Sequence, residues 1–363
     1  MKKVLILWSV LFCFVSFGQN KKPLFLTFST KGGIIMAHRP FMAHLVQGNA
    51  YGFEVSLSKQ MADETINGIN SKYPLNGLTF EYRNFGYDAV LGKAFSIIQY
   101  QGFPIFQTKK NLVLDFKMGA GIGYITKIYD KFTNPTNNAI GSHVNAKVSF
   151  KLVLNKFTKK HHFGLGVELS HFSNGAIQVP NLGLNGLSAY VNMGYNFNKR
   201  EVFNPLIKRY SILELKGAYF MVEGILSVGE VLPVPLDSKK YPIFASRLTW
   251  VKPLKSNLWN VEVAFDAVYN VSNLHRYYDS TFVAKDVPQF GFYAGMSFNY
   301  YKSQIIFGMG YYVMDKINPL GRIYNRVGYR YYFTDQFFGL FSIRANFGKA
   351  DFFEFGVGYK FRK

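Results

Sequence analysis

The chain has 363 residues, with 42 Lys and Arg against 21 Asp and Glu, giving a formal net charge of +21. That balance favours polyanionic partners such as anionic lipid or phosphorylated glycolipid. Aromatic residues make up 18 % and charged residues only 17 %, and the single cysteine excludes both a disulfide and a cysteine-based metal site.

From the N-terminus, Lys2 and Lys3 precede an apolar run from Val4 to Phe17, and Ser16 and Gly18 supply small residues for cleavage. This pattern predicts a signal peptide over 1–18, leaving Gln19 first and 345 residues in the mature chain. Cys13 lies inside the apolar run between Phe12 and Phe14 and is read as filler rather than as an acylation site. Losing Lys2 and Lys3 lowers the charge from +21 to +19, and export sets nucleic acid aside as a partner.

The mature chain then alternates with period two. Tyr51, Phe53, Val55 and Leu57 oppose Gly52, Glu54, Ser56 and Ser58. Val144, Ala146, Val148, Phe150 and Leu152 oppose Asn145, Lys147, Ser149 and Lys151, and Phe353, Phe355, Val357, Tyr359 and Phe361 oppose Glu354, Gly356, Gly358 and Lys360. Strict alternation is the strand signature, because successive side chains leave opposite faces. One face is large and apolar and the other mixes small residues with charges, as expected of a wall with lipid outside and a polar lumen. Segments of about 9–11 residues suffice for a tilted membrane strand. The fold class predicted is all-β, a closed antiparallel transmembrane β-barrel over 19–363. Candidate strands lie near 24–37, 50–59, 77–84, 94–107, 111–126, 142–156, 162–173, 185–198, 211–228, 241–253, 257–271, 288–301, 303–314, 322–334, 337–347 and 351–361. Allowing for bent or out-of-barrel segments, about 14 strands are expected, with 12 and 16 as neighbouring counts. The lumenal charges, Glu54, Asp115, Lys117, Lys147, Lys151, Glu168, Glu262 and Asp266, are expected to pair across a plugged or narrow interior.

One segment puts polar groups on the lipid side. Phe163, Leu165, Val167 and Leu169 are followed in phase by His171 and Ser173, and Asn185 is in phase with the outward residues of the next strand. Neighbouring strands lie about 5 Å apart, so a base, a nucleophile and an orienter converge on one wall. Ser170 adjoins His171 but points into the lumen. His38 and His44, with no acidic residue nearby, read as loop hydrogen-bonding residues rather than metal ligands, and His161-His162 reads as a solvated turn.

The run His171-Phe172-Ser173-Asn174-Gly175 followed by Pro180-Asn181-Leu182-Gly183 resembles the active-site hairpin of the lipid A 3-O-deacylases, over about residues 160–200. The resemblance implies an outer-membrane esterase, without metal or cofactor, acting on lipid A of lipopolysaccharide in the outer leaflet. It assigns the nucleophile to Ser173 and the general base to His171. The family's third member is a glutamate, where this chain has Asn185, which orients an imidazole but does not stabilise its cation by charge. Oxyanion donors are expected from the backbone of Asn174 and Gly175, and from Asn181. The rival reading is a barrel without catalysis, a pore or a structural or adhesion protein. A phospholipase would use the same residues.

Overall fold

The computed structural model describes residues 23–361 apart from 62–71, 109, 202–216, 231–238, 255–257, 276–280, 318–319 and 347–348. The expected signal peptide therefore lies outside the described residues. The described residues form sixteen strands: β1 (Leu24–Met36), β2 (Ala50–Gln60), β3 (Leu75–Asn84), β4 (Lys93–Gln107), β5 (Leu112–Ile125), β6 (Val144–Phe157), β7 (His161–Ser173), β8 (Leu184–Asn196), β9 (Tyr219–Gly229), β10 (Tyr241–Pro253), β11 (Trp259–Asn270), β12 (Pro288–Tyr300), β13 (Ser303–Asp315), β14 (Ile323–Tyr332), β15 (Phe337–Asn346) and β16 (Lys349–Lys360). All sixteen sequence segments are occupied, and among the described residues the only helices are short 3-10 turns.

The strands do not make one wall of about 14. They make two closed antiparallel barrels of eight, β1–β8 and β9–β16. In the first, β1 closes on β8 with Phe25 opposite Asn196 and Met36 opposite Asn185. In the second, β16 closes on β9 with Phe355 opposite Leu226. An eight-strand ring is just wide enough for side chains to fill, whereas a wall of 16 leaves an aqueous channel. The lumenal residues fit the narrower ring, because each half neutralises its own charges.

In the first barrel the Lys31 ammonium sits among three carboxylates, 2.6 Å from Glu54, 2.9 Å from Glu81 and 2.7 Å from Glu168. Lys147 pairs with Glu81 and Lys151 with Glu54. In the second, Arg330 bridges Glu223 and Glu262, Arg247 pairs with Asp266, and Arg326 and Arg344 share Glu354. All of these side chains except Lys151 are almost wholly buried. Both lumens are filled by their own ion pairs, as expected for most of the charges named from the sequence, while the Lys117 ammonium lies over the Tyr100 ring instead.

Outside, the alternation keeps its sense. Phe163, Leu165, Val167 and Leu169 on β7 are exposed, as are Tyr51, Phe53 and Val55 on β2. These stripes are the lipid-facing wall.

The barrels touch at both rims. At one, Phe103 of β4 packs edge-on against Phe298 and Tyr300 of β12, with centroids 5.2 and 5.5 Å apart. At the other, the Glu230 N–H, just past β9, donates to the Ala176 carbonyl at 3.1 Å in the loop after β7. A tilt of about 40° over about ten residues carries a strand roughly 20 Å sideways, some three to four positions round the ring. The end of β7 thus stands above the end of β4, and the start of β16 above the end of β12. The two contacts lie on one seam.

Removing Lys31 leaves three buried carboxylates facing each other. Lys31→Met is expected to destabilise the barrel by about 3–5 kcal/mol. The measurement is the temperature at which the folded band is lost in semi-native gel electrophoresis, which should drop for Lys31→Met.

Candidate active site

The hairpin β7–β8 carries His171, Ser173, Asn174, Gly175, Asn181 and Asn185, all the candidate site residues named from the sequence. Its register puts His171 directly opposite Asn185. Both follow the outward stripe of their strands, so they face one another on the hydrocarbon side, and His171 Nδ1 lies 2.6 Å from Asn185 Oδ1. Ser170 is in the lumen, where it accepts a hydrogen bond from Arg83 Nη1 at 2.8 Å. The aromatic ring between base and serine, Phe172, also points inward. It packs edge-on against Phe85 and lies beneath the Lys147 ammonium, which anchors the backbone from which His171 and Ser173 project outward.

Ser173 is in phase with the exposed stripe yet only 3 % exposed. The loop folds back over it. Asn181 Nδ2 donates to Ser173 Oγ at 2.9 Å and the Gly175 N–H donates to it at 3.1 Å, while the hydroxyl itself reaches Asn181 Oδ1 at 3.3 Å. Two of the three expected donors therefore converge on Ser173. The third does not: the Asn174 N–H donates to Asn181 Oδ1 at 3.0 Å. That bond turns the Asn181 amide so that its NH₂ faces the serine. The Asn174 side chain braces the loop through the Gln178 carbonyl and the Ser142 hydroxyl. The hydrogen bonds of Ser173 run to Asn181 and Gly175 rather than to His171.

Gly183 has a required backbone. Its φ is +78°, and a Cβ there would lie 2.5 Å from His171 Cε1. The glycine of the Pro-Asn-x-Gly element thus gives the imidazole its room.

His38 is brought in by closure of the ring. β1 ends opposite Asn185, and two residues later the His38 ring lies with Nδ1 2.9 Å from Asn185 Nδ2. A neutral imidazole has one N–H and one acceptor. The amide NH₂ of Asn185 only donates, so His38 Nδ1 accepts from it. The amide orientation follows: Nδ2 faces His38, Oδ1 faces His171, and Oδ1 accepts the His171 Nδ1–H. His171 Nε2 is left as the acceptor on the Ser173 side. Burial first, and then the Arg39 guanidinium, hold His38 below the usual histidine value, which favours this neutral form. His44 plays the expected loop role, with Nε2 2.8 Å from the Thr136 carbonyl. His161 is exposed as expected, but His162 is not in a solvated turn. It is buried in the lumen, with Nδ1 2.6 Å from Asn196 Oδ1 and Nε2 3.0 Å from Thr27 Oγ1.

The site is thus a histidine, a serine and amide donors on the lipid face of a small barrel. Residues 51–196 match the family model of the lipid A 3-O-deacylases (PagL), and residues 215–363 match that of the acyloxyacyl hydrolase C-terminal domain. The first match extends well beyond the hairpin that first pointed to this family, and the second spans the strands of the second barrel. No curated protein matches the chain. Among solved structures, the outer membrane enzyme PagL is similar at 15 % identity over 46 % of this chain and 97 % of that one, with a TM-score of 0.31. CdiB from Acinetobacter baumannii is similar at 10 % identity over 94 % of this chain and 60 % of that one, with a TM-score of 0.20.

His38→Phe removes the acceptor that orients Asn185. The expected result is about a tenfold lower kcat on an acyl-ester substrate with little change in KM, the factor that about 1.4 kcal/mol represents. With the folded value of His38 lowered, its neutral form, and the orientation of Asn185 with it, is present at neutral pH and lost as pH falls through that lowered value. Activity measured from neutral to acid pH should fall on the acid side.

Proposed function

We propose that this protein is an outer-membrane serine esterase that removes an ester-linked acyl chain from lipid A of lipopolysaccharide, by 3-O-deacylation. The observation that carries the reading is the 2.6 Å contact of His171 Nδ1 with Asn185 Oδ1 on the lipid side of the wall, beside a serine held by two amide donors. The family match of the barrel that bears these residues supports the choice of substrate.

In this mechanism His171 Nε2 takes the proton of Ser173 as Oγ attacks the ester carbonyl of a chain lying against β7. Ser173 first gives up its long bond to Asn181 Oδ1 and turns to the imidazole. Gly175 N–H and Asn181 Nδ2 then donate to the tetrahedral oxyanion. His171 returns the proton to the sugar hydroxyl as it leaves. Water, deprotonated by the same imidazole, releases the fatty acid and regenerates Ser173.

Asn185 fixes the tautomer and ring orientation without adding negative charge. A triad amide costs about 10⁴ in rate where it imposes the wrong tautomer. Here the hydrogen bond to His38 turns the carbonyl oxygen toward His171, which spares that loss and leaves only the missing charge. Asn185→Glu is therefore expected to raise kcat, by about tenfold.

The leaflet follows from strand parity. With the signal peptide removed and the N-terminus periplasmic, the odd-numbered β7 runs outward and its loop meets the outer leaflet. The positive balance of the chain suits the phosphates of lipid A.

Lipid A mass spectra from cells expressing the wild type, Ser173→Ala or an empty vector test the reading. Loss of one acyl chain is expected only with the wild type, and Ser170→Ala should behave as wild type. Three identical spectra would remove the proposal. Release of fatty acid from glycerophospholipid with lipid A unchanged would make the protein a phospholipase.

A further inference from the structure

The loop that carries the amide donors is held from outside its own barrel. Phe353 of β16 belongs to a lipid-facing stripe, yet it is 6 % exposed while Phe355 and Val357 of the same stripe are 48 % and 68 % exposed. Beside the Phe341 ring of its own barrel, Gly175 of the first barrel lies against it. A Cβ on Gly175, whose φ is +63°, would fall 2.3 Å from the Phe353 ring. The glycine thus lets the aromatic ring press directly on the backbone that presents the oxyanion donor. Two residues of the second barrel's rim take hold of three of the next four positions, 176, 177 and 179. Glu230 donates its N–H to the Ala176 carbonyl at 3.1 Å and accepts the Val179 N–H on its carboxylate at 3.4 Å. The Lys240 ammonium donates to both the Ile177 carbonyl and the Glu230 carboxylate. Glu230 is almost fully buried, and burying a carboxylate costs several kcal/mol unless its oxygens are bonded. Lys240 and the loop backbone are among the partners that its buried groups bond.

We propose that the second barrel is part of the esterase: Glu230 and Phe353 are positioning residues that hold the turn after Ser173, so the oxyanion pocket is complete only when the two barrels are docked. The inference rests on the reading of Ser173 and His171 as the reacting pair. It gives the second barrel a role in the chemistry of the first without any contact to the reacting atoms. Residues 175–179 hang on the neighbour, and the Gly175 N–H moves with them.

The test uses full-length protein in detergent micelles with purified lipopolysaccharide. Glu230→Ala and Phe353→Ala should lower kcat by about a hundredfold, the scale of losing one oxyanion donor, with KM and the temperature of barrel unfolding unchanged. Glu230→Gln keeps an acceptor for the Val179 N–H and should recover most of the rate. Hydrogen–deuterium exchange at 174–183 should speed up in both alanine variants. Wild-type kcat in both alanine variants, or a fall matched by loss of folded protein, overturns the proposal. A wild type no more active than Ser173→Ala instead overturns the esterase reading on which it rests, and the exchange measurement then reports on the clamp by itself.

Discussion

Inside hydrocarbon a backbone N–H or carbonyl has no partner except another strand, so a lipid-embedded sheet must close on itself. The rest of the protein depends on that closure. It is the pairing of β1 with β8 that puts Met36 opposite Asn185, and so places His38 against the amide on which His171 rests. Had the first eight strands continued into the next eight, β8 would have met β9 instead, and the orienting amide would have had no histidine beside it. The site is a product of the ring as much as of the hairpin.

Closure at eight strands has an electrostatic counterpart. A ring of this size leaves room for side chains but little for water, so every lumenal charge must find its opposite within the same ring. Lys31 with its three carboxylates does so in the first barrel, and the four buried arginines with Glu223, Glu262, Asp266 and Glu354 do so in the second. With both lumens filled by ion pairs, the polar residues on the outward stripes of β7 and β8 stand on the outside wall, where a polar residue is costly unless partnered. Each has a partner: His171 has Asn185, Asn185 has His38 just past the end of β1, and Ser173 has Gly175 and Asn181 in the loop.

The seam between the barrels adds a third layer. Ser173 and Phe353 are both members of outward stripes that the structure buries, and both lie at the same rim contact. A stripe residue is exposed to lipid unless protein covers it. Two such departures meeting at one place show that the loop after β7 is shared between the barrels. A turn held on both sides keeps its N–H groups aimed without reorganisation, which is the property an oxyanion pocket needs.

Its count of about 14 strands fell short of the sixteen present, but by itself the sequence determined which residues face lipid, where the strand segments lie, and that His171, Ser173 and Asn185 emerge together from one hairpin. All of these follow from a period-two alternation and from pairing between consecutive strands, both of which are local. Tertiary structure alone decided that sixteen strands make two rings rather than one wall of about 14, because alternation reads the same in either. It also decided that His38 orients Asn185, that Asn181 and not the Asn174 N–H faces the serine, and that Glu230 and Phe353 grip the loop. Each of these is a contact between residues far apart in the chain, set by where a ring closes and by which rims meet, and no spacing along the sequence encodes that.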